Sequence, residues 1–261
     1  MVDAWGGMSA SFGICLPTIY GPMLVNRFDI NQTNSLLKTA RAIDHEEIAI
    51  LSQLLKVFPE GRVFVDIGAN FGTYTLALAP SVGAKGKIYS FEAQRILFYM
   101  LAGTVAINGL TNVFCHNYAI GKERSKLEIP QFDYNKPLNF GSIEFGEKQR
   151  EPLQQQRQHS ADHVEYVDMV TLDSFDLPRV DIIKIDVEGM EADVLAGAAE
   201  TIRRCRPILF VEHFKSDYKA LTEVIGSFGY DIHPVRQMNI LCVPEERRDQ
   251  IKVVKAAPSA K

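Results

Sequence analysis

A glycine-rich turn that begins with an acidic residue is the clearest chemical signal in this sequence of 261 residues. Asp66 ends a short apolar run, and Gly68, Asn70 and Gly72 follow it at alternate positions. Glycine lets the backbone approach a ligand closely and leaves backbone amides facing it. Asn70 stands where glycine is usual in Asp-x-Gly-x-Gly-x-Gly turns, and asparagine tolerates a left-handed backbone better than most residues. The segment therefore predicts a ligand-binding turn between a strand and a helix, with a plain tight turn as the alternative.

A second acidic residue, Glu92, ends the next apolar run. In sheets built from alternating strands and helices, this is roughly where the ribose of a nucleotide cofactor presents its hydroxyls to a carboxylate. The alternative is a solvated acid at the start of a helix, where the helix dipole favours negative charge. Dinucleotide-binding turns follow the pattern Gly-x-Gly-x-x-Gly, and Asn70 and Thr73 depart from it. A nicotinamide cofactor is therefore disfavoured.

Charged residues also follow two later apolar runs. Asp186 and Glu188 follow one of them, and Glu212 and His213 follow the next. Because ligands bind beyond the carboxyl ends of parallel strands, these side chains are expected to face the same crevice as the glycine turn. A hydroxyl group that attacks a methyl donor must lose its proton, and such a set suits a general base. The alternative is that the acids cap the following helix and that the histidine is only packed or solvated.

The same four side chains could hold a divalent cation, because oxygen-rich ligand sets favour magnesium or calcium. Acids on separate strands are commoner than metal sites, so no metal is predicted here. His159 and His163 are four residues apart, but the Glu-x-x-His context of a helical metal site does not surround them.

The elements that must position these residues alternate between apolar runs and helical patterns. Short apolar runs that predict strands occupy residues 63–67, 87–91, 113–116, 180–185, 208–211, 230–233 and 239–243. Strands that alternate with helices predict an α/β fold with a parallel sheet and helices on both faces. The last two runs are close enough in sequence to pair as a hairpin at the sheet edge.

Three parts of the chain lie outside this alternation. Residues 1–58 are predicted to form an N-terminal arm of short strands and a helix that packs on the core, since helical spacing follows Asp44. Residues 59–245 are predicted to form the main domain, and prolines and polar residues at about 121–168 indicate an insertion or mobile cover rather than a second core. Residues 246–261 are predicted to be a polar tail.

The composition excludes several classes of protein. Hydrophobic residues make up 46% and charged residues 23%, which is typical of a globular domain, and no run of about twenty apolar residues predicts a membrane span. The net charge of −4 argues against a phosphate-driven nucleic-acid binder. The four cysteines form no Cys-x-x-Cys pair, and the N-terminus lacks the basic and apolar regions of a signal peptide. A cytoplasmic location is therefore expected.

Together these residues resemble the FkbM-like family, a branch of the class I S-adenosylmethionine-dependent methyltransferases. The motifs that carry the resemblance occur in the family's order and span roughly residues 60–215: Val65-Asp66-Ile67-Gly68-Ala69-Asn70-Phe71-Gly72, Phe91-Glu92, Thr171-Leu172-Asp173, Ile183-Lys184-Ile185-Asp186-Val187-Glu188-Gly189-Met190-Glu191 and Arg206-Pro207. The resemblance implies a Rossmann-like fold with a mostly parallel seven-stranded sheet in the order 3-2-1-4-5-7-6, strand 7 being antiparallel. It also implies S-adenosylmethionine as cofactor and S-adenosylhomocysteine as product.

The resemblance further implies which residues bind the cofactor. The glycine turn would hold the methionine moiety through Asp66, Gly68, Ala69, Asn70 and Gly72. Glu92 would bind the ribose. The adenine would be bordered by Asn117, Tyr118 and Ala119, with Ala93 on the same side in place of a frequent proline. Tyr74 offers an aromatic face to a sulfonium or an adenine, although core packing is its alternative role.

Members of the family typically methylate oxygen on small or carbohydrate-like acceptors, which implies an O-methyltransferase by analogy. Asp186, Glu188, Glu212 and His213 are the candidates for orienting the acceptor or removing its proton. Residues 1–60 and 121–168 are expected to select the acceptor, because loops over a rigid sheet usually set specificity. The alternatives are a non-catalytic module that binds the cofactor or a partner protein and, less favoured, a nicotinamide-dependent oxidoreductase. The oligomeric state is not predicted.

Overall fold

The computed structural model describes residues 11–145, 149–150, 152–157, 164–249 and 251. Its strands are β1 Gly13–Thr18, β2 Gly21–Asn26, β3 Val63–Ile67, β4 Lys87–Phe91, β5 Val113–His116, β6 Ala119–Ile120, β7 Ser125–Ile129, β8 Glu165–Val170, β9 Ile182–Ile185, β10 Ile208–Glu212, β11 Tyr230–Val235 and β12 Asn239–Pro244. Its α-helices are α1 Gln32–Thr39, α2 His45–Leu55, α3 Thr73–Val82, α4 Arg95–Ile107, α5 Glu191–Gly197, α6 Ala199–Cys205 and α7 Tyr218–Ser227. Each predicted apolar run thus corresponds to a strand, although the run 180–185 begins two residues before β9.

The central sheet has seven strands in the order β5-β4-β3-β9-β10-β12-β11. Five neighbouring strands of this sheet, β5, β4, β3, β9 and β10, are parallel to one another. Strand β12 is antiparallel to both β10 and β11. Numbered along the chain, these strands read 3-2-1-4-5-7-6. The predicted α/β fold with a mostly parallel sheet is confirmed, and β11 and β12 pair as a hairpin at one edge.

Helices cover both faces of this sheet because successive strand residues point to opposite sides. Phe64 belongs to a buried cluster on one face with Leu78 of α3 and apolar residues of α2 and α4. Its neighbour Val65 belongs to a cluster on the other face with Val194 of α5 and Ile225 of α7. Parallel strands that are buried on both faces read as continuous apolar runs, which is why the sequence pattern located them.

The N-terminal arm and the insertion pack against each other beside α4. Strands β1 and β2 form an antiparallel hairpin, and Met23 and Val25 of β2 share a buried cluster with Leu97 of α4 and with Leu138 and Phe140 of the insertion. The insertion also carries β7 and β8, which form a three-stranded sheet with β6. This small sheet has no clear sequence pattern, because its strands are short and β7 and β8 are rich in charged residues.

The helical pattern that follows β9 is divided into two helices in the structure. Helix α5 ends at Gly197 and α6 begins at Ala199, with Ala198 between them. A β-carbon on Gly197 would lie 1.9 Å from the carbonyl oxygen of Gly121, which follows β6. The close backbone approach therefore requires glycine at this position.

Among the residues that the structure describes, no helix combines the length and apolar character needed to cross a bilayer.

Gly197→Ala is expected to destabilise the fold by roughly 1–3 kcal/mol, the usual cost of overpacking a buried contact. Gly226→Ala in α7 is the matched control, because a β-carbon there meets nothing within 4 Å. The control should stabilise the protein by about 0.5–1 kcal/mol, since alanine loses less backbone entropy than glycine in a helix. Urea-induced unfolding of both variants measures the difference, and equal unfolding midpoints would contradict the proposed close approach.

Candidate active site

The glycine turn connects β3 to α3 and has an unusual backbone. Gly68, Asn70 and Gly72 adopt positive φ angles of 78°, 52° and 88°. A β-carbon on Gly68 would lie 1.8 Å from the carbonyl oxygen of Asp186, the residue that follows β9. The turn therefore packs directly against the end of the neighbouring strand, and only glycine permits that contact. Asn70 provides the left-handed conformation that the sequence analysis expected it to tolerate.

Lys184 fixes the turn from below. Its side chain is 5% exposed, and its Nζ donates a hydrogen bond to the Gly68 carbonyl oxygen at 2.9 Å. The same Nζ lies 3.2 Å from Asp186 Oδ2 and 3.5 Å from Asp66 Oδ1. Burial lowers the pKa of this amine, but the two aspartates outweigh burial and hold the pKa above its ordinary value. Sequence analysis did not single out Lys184 as a site residue.

Asp66 lies fully buried beneath the turn. Its Oδ2 accepts a hydrogen bond from Thr75 Oγ1 at 2.7 Å. Burial raises the pKa of the carboxyl group, and the Lys184 ammonium and Thr75 oppose that increase. In this position Asp66 stabilises the turn from inside the protein. Its predicted contact with the methionine moiety of a cofactor stays a prediction.

A cleft opens above the turn at the carboxyl ends of β3, β4 and β9. The predicted cofactor-binding residues that line it are Gly68, Asn70, Glu92, Ala93 and Ala119. Two predicted catalytic residues, Asp186 and Glu188, line the same cleft. The structure therefore brings the two groups of candidates together around one space. The insertion contributes to the wall of this cleft through Gly141, Ile143 and Phe145.

Other predicted cofactor-binding residues lie behind this wall. Tyr74 is largely buried, with its ring 5.0 Å from Lys184 Nζ. Ala69 is buried and donates its backbone N–H to Phe91, and Gly72 precedes the first residue of α3. These residues belong to the buried side of the turn and do not line the cleft.

Only part of the segment predicted to border an adenine lines the cleft. Ala119 lines the cleft, whereas Asn117 uses its Nδ2 to donate to the carbonyl oxygens of Glu92 at 2.8 Å and Ala93 at 3.1 Å. The ring of Tyr118 stacks on His116 with centroids 6.1 Å apart. Asn117 therefore positions the segment after β4 instead of facing the cleft.

Glu92 is buried in the wall of the cleft. Its Oε2 accepts the backbone N–H of Asn70 and its Oε1 accepts that of Gln94, both at 2.8 Å. Burial raises the pKa of this carboxyl group to about 7, although the two backbone hydrogen bonds lower it. Each carboxylate oxygen has a second lone pair, so Glu92 can still accept a hydrogen bond from a ligand hydroxyl.

Three acidic side chains meet at the ends of β9 and β10. Carboxylate oxygens of Asp186, Glu188 and Glu212 lie within 4.8 Å of one another. Burial and then the charge of Asp186 raise the pKa of Glu188 and, still further, that of Glu212. Such a group can share and exchange a proton near neutral pH, and it can also approach a cation. No sequence signal predicted how closely the three carboxylates would meet.

Lys215 connects this acidic group to the insertion, and sequence analysis missed it. Its Nζ lies 2.7 Å from Glu188 Oε2 and donates hydrogen bonds of 2.9 Å to the carbonyl oxygen and the Oγ of Ser142. Glu144 lies 3.9 Å from the same Nζ. The only sequence signal was a lysine close behind the apolar strand β10.

The remaining candidates have structural neighbours. The ring of His213 packs edge-on against Tyr218 with centroids 4.9 Å apart. Glu191, the first residue of α5, uses Oε1 to accept the backbone N–H groups of Val187 and Gly189 in the segment that precedes the helix. His159 and His163 lie outside the described residues.

Comparison with known proteins places the chain among methyltransferases. The family described as Methyltransferase FkbM domain matches residues 66–232. Methyltransferase 1 of Beauveria bassiana (strain ARSEF 2860) is 28% identical over 155 residues, which cover 54% of this chain and 59% of that relative. The chain thus aligns with less than two thirds of the relative's length.

A solved structure, Methyltransferase FkbM from Methylobacillus flagellatus KT, aligns with a TM-score of 0.50 and 20% identity. The alignment covers 71% of this chain and 44% of that chain. At this identity the likeness is one of fold, and it agrees with the predicted class I α/β architecture.

Lys184→Met is expected to destabilise the protein by roughly 3–5 kcal/mol, because it leaves the buried Asp66 carboxylate without its counter-charge. Adding Asp66→Asn should recover part of that loss by removing the unpaired charge. Lys219→Met is the control, since its side chain is 87% exposed and its free energy of unfolding should change by less than about 1 kcal/mol. Urea-induced unfolding measures all three, and a double variant less stable than Lys184→Met would contradict the assigned pairing.

Proposed function

We propose that this chain, which belongs to the FkbM methyltransferase family, transfers a methyl group from S-adenosylmethionine to a hydroxyl oxygen of a small-molecule or carbohydrate-like acceptor. The observation that carries the proposal is the convergence of Asp186, Glu188 and Glu212 within 4.8 Å. Asp186 and Glu188 line one cleft together with the glycine turn and Glu92. The cytoplasmic location and the absence of nucleic-acid partners stay predictions from composition.

The residues of the cleft fit an adenosyl cofactor. Its ribose hydroxyls and adenine amine are hydrogen-bond donors, and the wall offers acceptors in Glu92 and in Gln94, whose buried Oε1 has no hydrogen-bond partner among the described residues. Gly68 and Asn70 would hold the methionine moiety. When bound, S-adenosylmethionine supplies an electrophilic methyl group on a sulfonium centre and leaves as a neutral thioether.

The acidic group would act on the acceptor. A hydroxyl oxygen that takes up a methyl group must lose its proton, and a carboxylate of raised pKa is a better proton acceptor than an ordinary one. Glu188 combines a raised pKa with a place on the cleft wall. We therefore assign Glu188 as the base and Asp186 and Glu212 as groups that orient the hydroxyl. His213 stays a candidate for orienting the acceptor.

The acceptor class follows from the same chemistry. In its ionised form a carboxylate accepts hydrogen bonds only, so the ionised members of this group favour a partner that brings hydroxyl donors. The insertion borders the cleft through Ile143 and Phe145 and would contact the acceptor or cofactor from the outside. No divalent metal is required by this proposal, because Lys184 and Lys215 already pair with Asp186 and Glu188.

The proposal is tested by calorimetric titration with S-adenosylhomocysteine and with NADH, followed by transfer of labelled methyl to a panel of hydroxyl acceptors. We expect the protein to bind S-adenosylhomocysteine but not NADH, and to form labelled methyl ethers from hydroxyl acceptors. Binding of NADH alone would favour an oxidoreductase. Binding of S-adenosylhomocysteine without transfer to any acceptor would favour a non-catalytic module.

Glu188→Gln is expected to keep affinity for S-adenosylhomocysteine and to lower turnover by roughly 10²–10⁴-fold, the usual contribution of a general base. Glu200→Gln, an exposed acid at the start of α6, is the matched control and should leave turnover unchanged. Steady-state rates with labelled cofactor measure both variants. Wild-type turnover in Glu188→Gln would remove that residue from the base assignment.

Affinity for S-adenosylhomocysteine is expected to increase as the pH rises from about 6 to about 8. Since the pKa of Glu92 in the free protein is raised to about 7, part of the population is protonated at neutral pH. Ribose hydroxyls favour the ionised carboxylate, so binding lowers this pKa and releases a proton. Calorimetry in buffers of different ionisation enthalpy measures the number of protons released on binding.

Glu92→Gln is the control for this pH dependence. It should bind more weakly and release less proton over the same pH range. Affinity that falls with rising pH, or proton release equal to that of the wild type in Glu92→Gln, would contradict the assignment of Glu92 to the ribose.

A further inference from the structure

Gln94, two residues after the predicted ribose-binding acid, carries a buried amide in the wall of the cleft. Its side chain is 5% exposed, and its Nε2 donates a hydrogen bond of 2.9 Å to the carbonyl oxygen of Phe140 in the insertion. Its backbone N–H donates to Glu92 Oε1 at 2.8 Å. The first bond holds the side chain and the second holds its backbone, just before the start of α4.

The contact with Phe140 determines which way the amide is oriented. A backbone carbonyl can only accept, so the NH₂ group must face it and the oxygen must point away. Among the described residues, that oxygen, Oε1, is buried without a hydrogen-bond partner. Buried acceptors are nearly always satisfied in native proteins, and leaving one unpaired costs free energy. A donor from a bound ligand would satisfy it.

The surroundings of Gln94 indicate which kind of ligand group would donate a hydrogen bond to Oε1. The neighbouring wall is apolar and is formed by the segment between β4 and α4, by α4, by β6 and by the insertion. Its residues are Ala93, Leu97, Ala119, Ile120, Ile143 and Phe145. Apolar pockets with a small number of placed polar groups are typical of sites for heteroaromatic ligands. An apolar ring with an exocyclic amine matches both the wall and the single acceptor.

Two other side-chain amides close to this region already have partners. Asn70 lines the cleft, and its Oδ1 accepts the backbone N–H of Phe71 at 2.8 Å. Asn117 donates both of its Nδ2 hydrogen bonds to backbone carbonyls of the segment after β4. Among the described residues that line the cleft, Gln94 is thus the amide whose oxygen is buried without a partner. Its position next to Glu92 also matches a nucleoside, in which the base adjoins the ribose.

We propose that Gln94 Oε1 accepts a hydrogen bond from the 6-amino group of the cofactor's adenine and that the Phe140 carbonyl holds the amide in this orientation. The proposal rests on the proposed function, since it concerns the same cofactor. It makes Gln94 the residue that distinguishes adenine from a base with an oxygen at position 6. The insertion then takes part in cofactor selection through Phe140.

The test compares three ligands by calorimetry on the wild-type protein: S-adenosylhomocysteine, S-inosylhomocysteine, and the purine analogue with hydrogen at position 6. The inosyl compound places an acceptor opposite Oε1, and the third compound removes the donor only. Loss of a hydrogen bond that leaves a buried acceptor unpaired should weaken binding by roughly 10- to 100-fold. The inosyl compound should bind at least as weakly as the third.

Gln94→Met keeps the length of the side chain and removes its acceptor. This variant should bind S-adenosylhomocysteine more weakly and should lose most of the preference among the three ligands. Gln53→Met, on α2 and away from the cleft-lining residues, is the matched control and should keep the wild-type affinities and preference. Thermal unfolding of both variants checks that they are folded. The comparison of the three ligands on the wild-type protein tests the proposal even if a variant does not fold.

The outcomes separate the two proposals. Wild-type protein that binds S-adenosylhomocysteine and S-inosylhomocysteine equally would overturn the role of Gln94 and leave the proposed function intact. A Gln94→Met variant that keeps the full preference would also overturn it. Wild-type protein that binds none of the three ligands would overturn the proposed function and this inference together.

Discussion

The buried ammonium group of Lys184 joins the elements on which the rest of the site depends. Lys184 and Asp66 are directly paired in register on adjacent parallel strands, so their side chains project on the same side of the sheet. A charge in the interior is costly unless it is paired and hydrogen-bonded. Lys184 meets that condition with two aspartates and the Gly68 carbonyl. The end of β3, the glycine turn and the end of β9 are thereby held as one unit.

This unit has consequences for the whole cleft. Because Gly68 packs against the Asp186 backbone, the part of the wall assigned to the cofactor and the part that carries the acids cannot shift independently. The insertion is attached at both parts, through Gln94 to Phe140 and through Lys215 to Ser142. A segment that reads as an irregular cover in the sequence is therefore tied to the cleft by hydrogen bonds from the core.

The sequence predicts the sheet well because its parallel strands are buried on both faces and read as apolar runs. It also indicates Glu92, Asp186, Glu188 and Glu212, since each of these follows such a run. It does not reveal that Asp66 lies beneath the turn, because a strand-end acid can point toward the cleft or into the core. That choice depends on the partner across the sheet, Lys184.

Other features depend on contacts between distant segments and leave no local pattern. The close approach of Gly121 to Gly197, at the end of α5, is one such contact. The unpaired oxygen of Gln94 becomes apparent only in the structure, where the Nε2 of the same amide donates to the Phe140 carbonyl oxygen. Lys215 becomes a site residue because the insertion and Glu188 both reach it. These relationships are set by tertiary packing, which a single sequence does not display.

The central claim is that one cleft binds the cofactor between Glu92 and the acidic group. A crystal structure of the protein with S-adenosylhomocysteine tests it most directly. We expect the ribose within hydrogen-bonding distance of Glu92 and the sulfur directed toward Asp186 and Glu188. A ligand bound outside this cleft, or one whose sulfur faces away from the acids, would contradict the account.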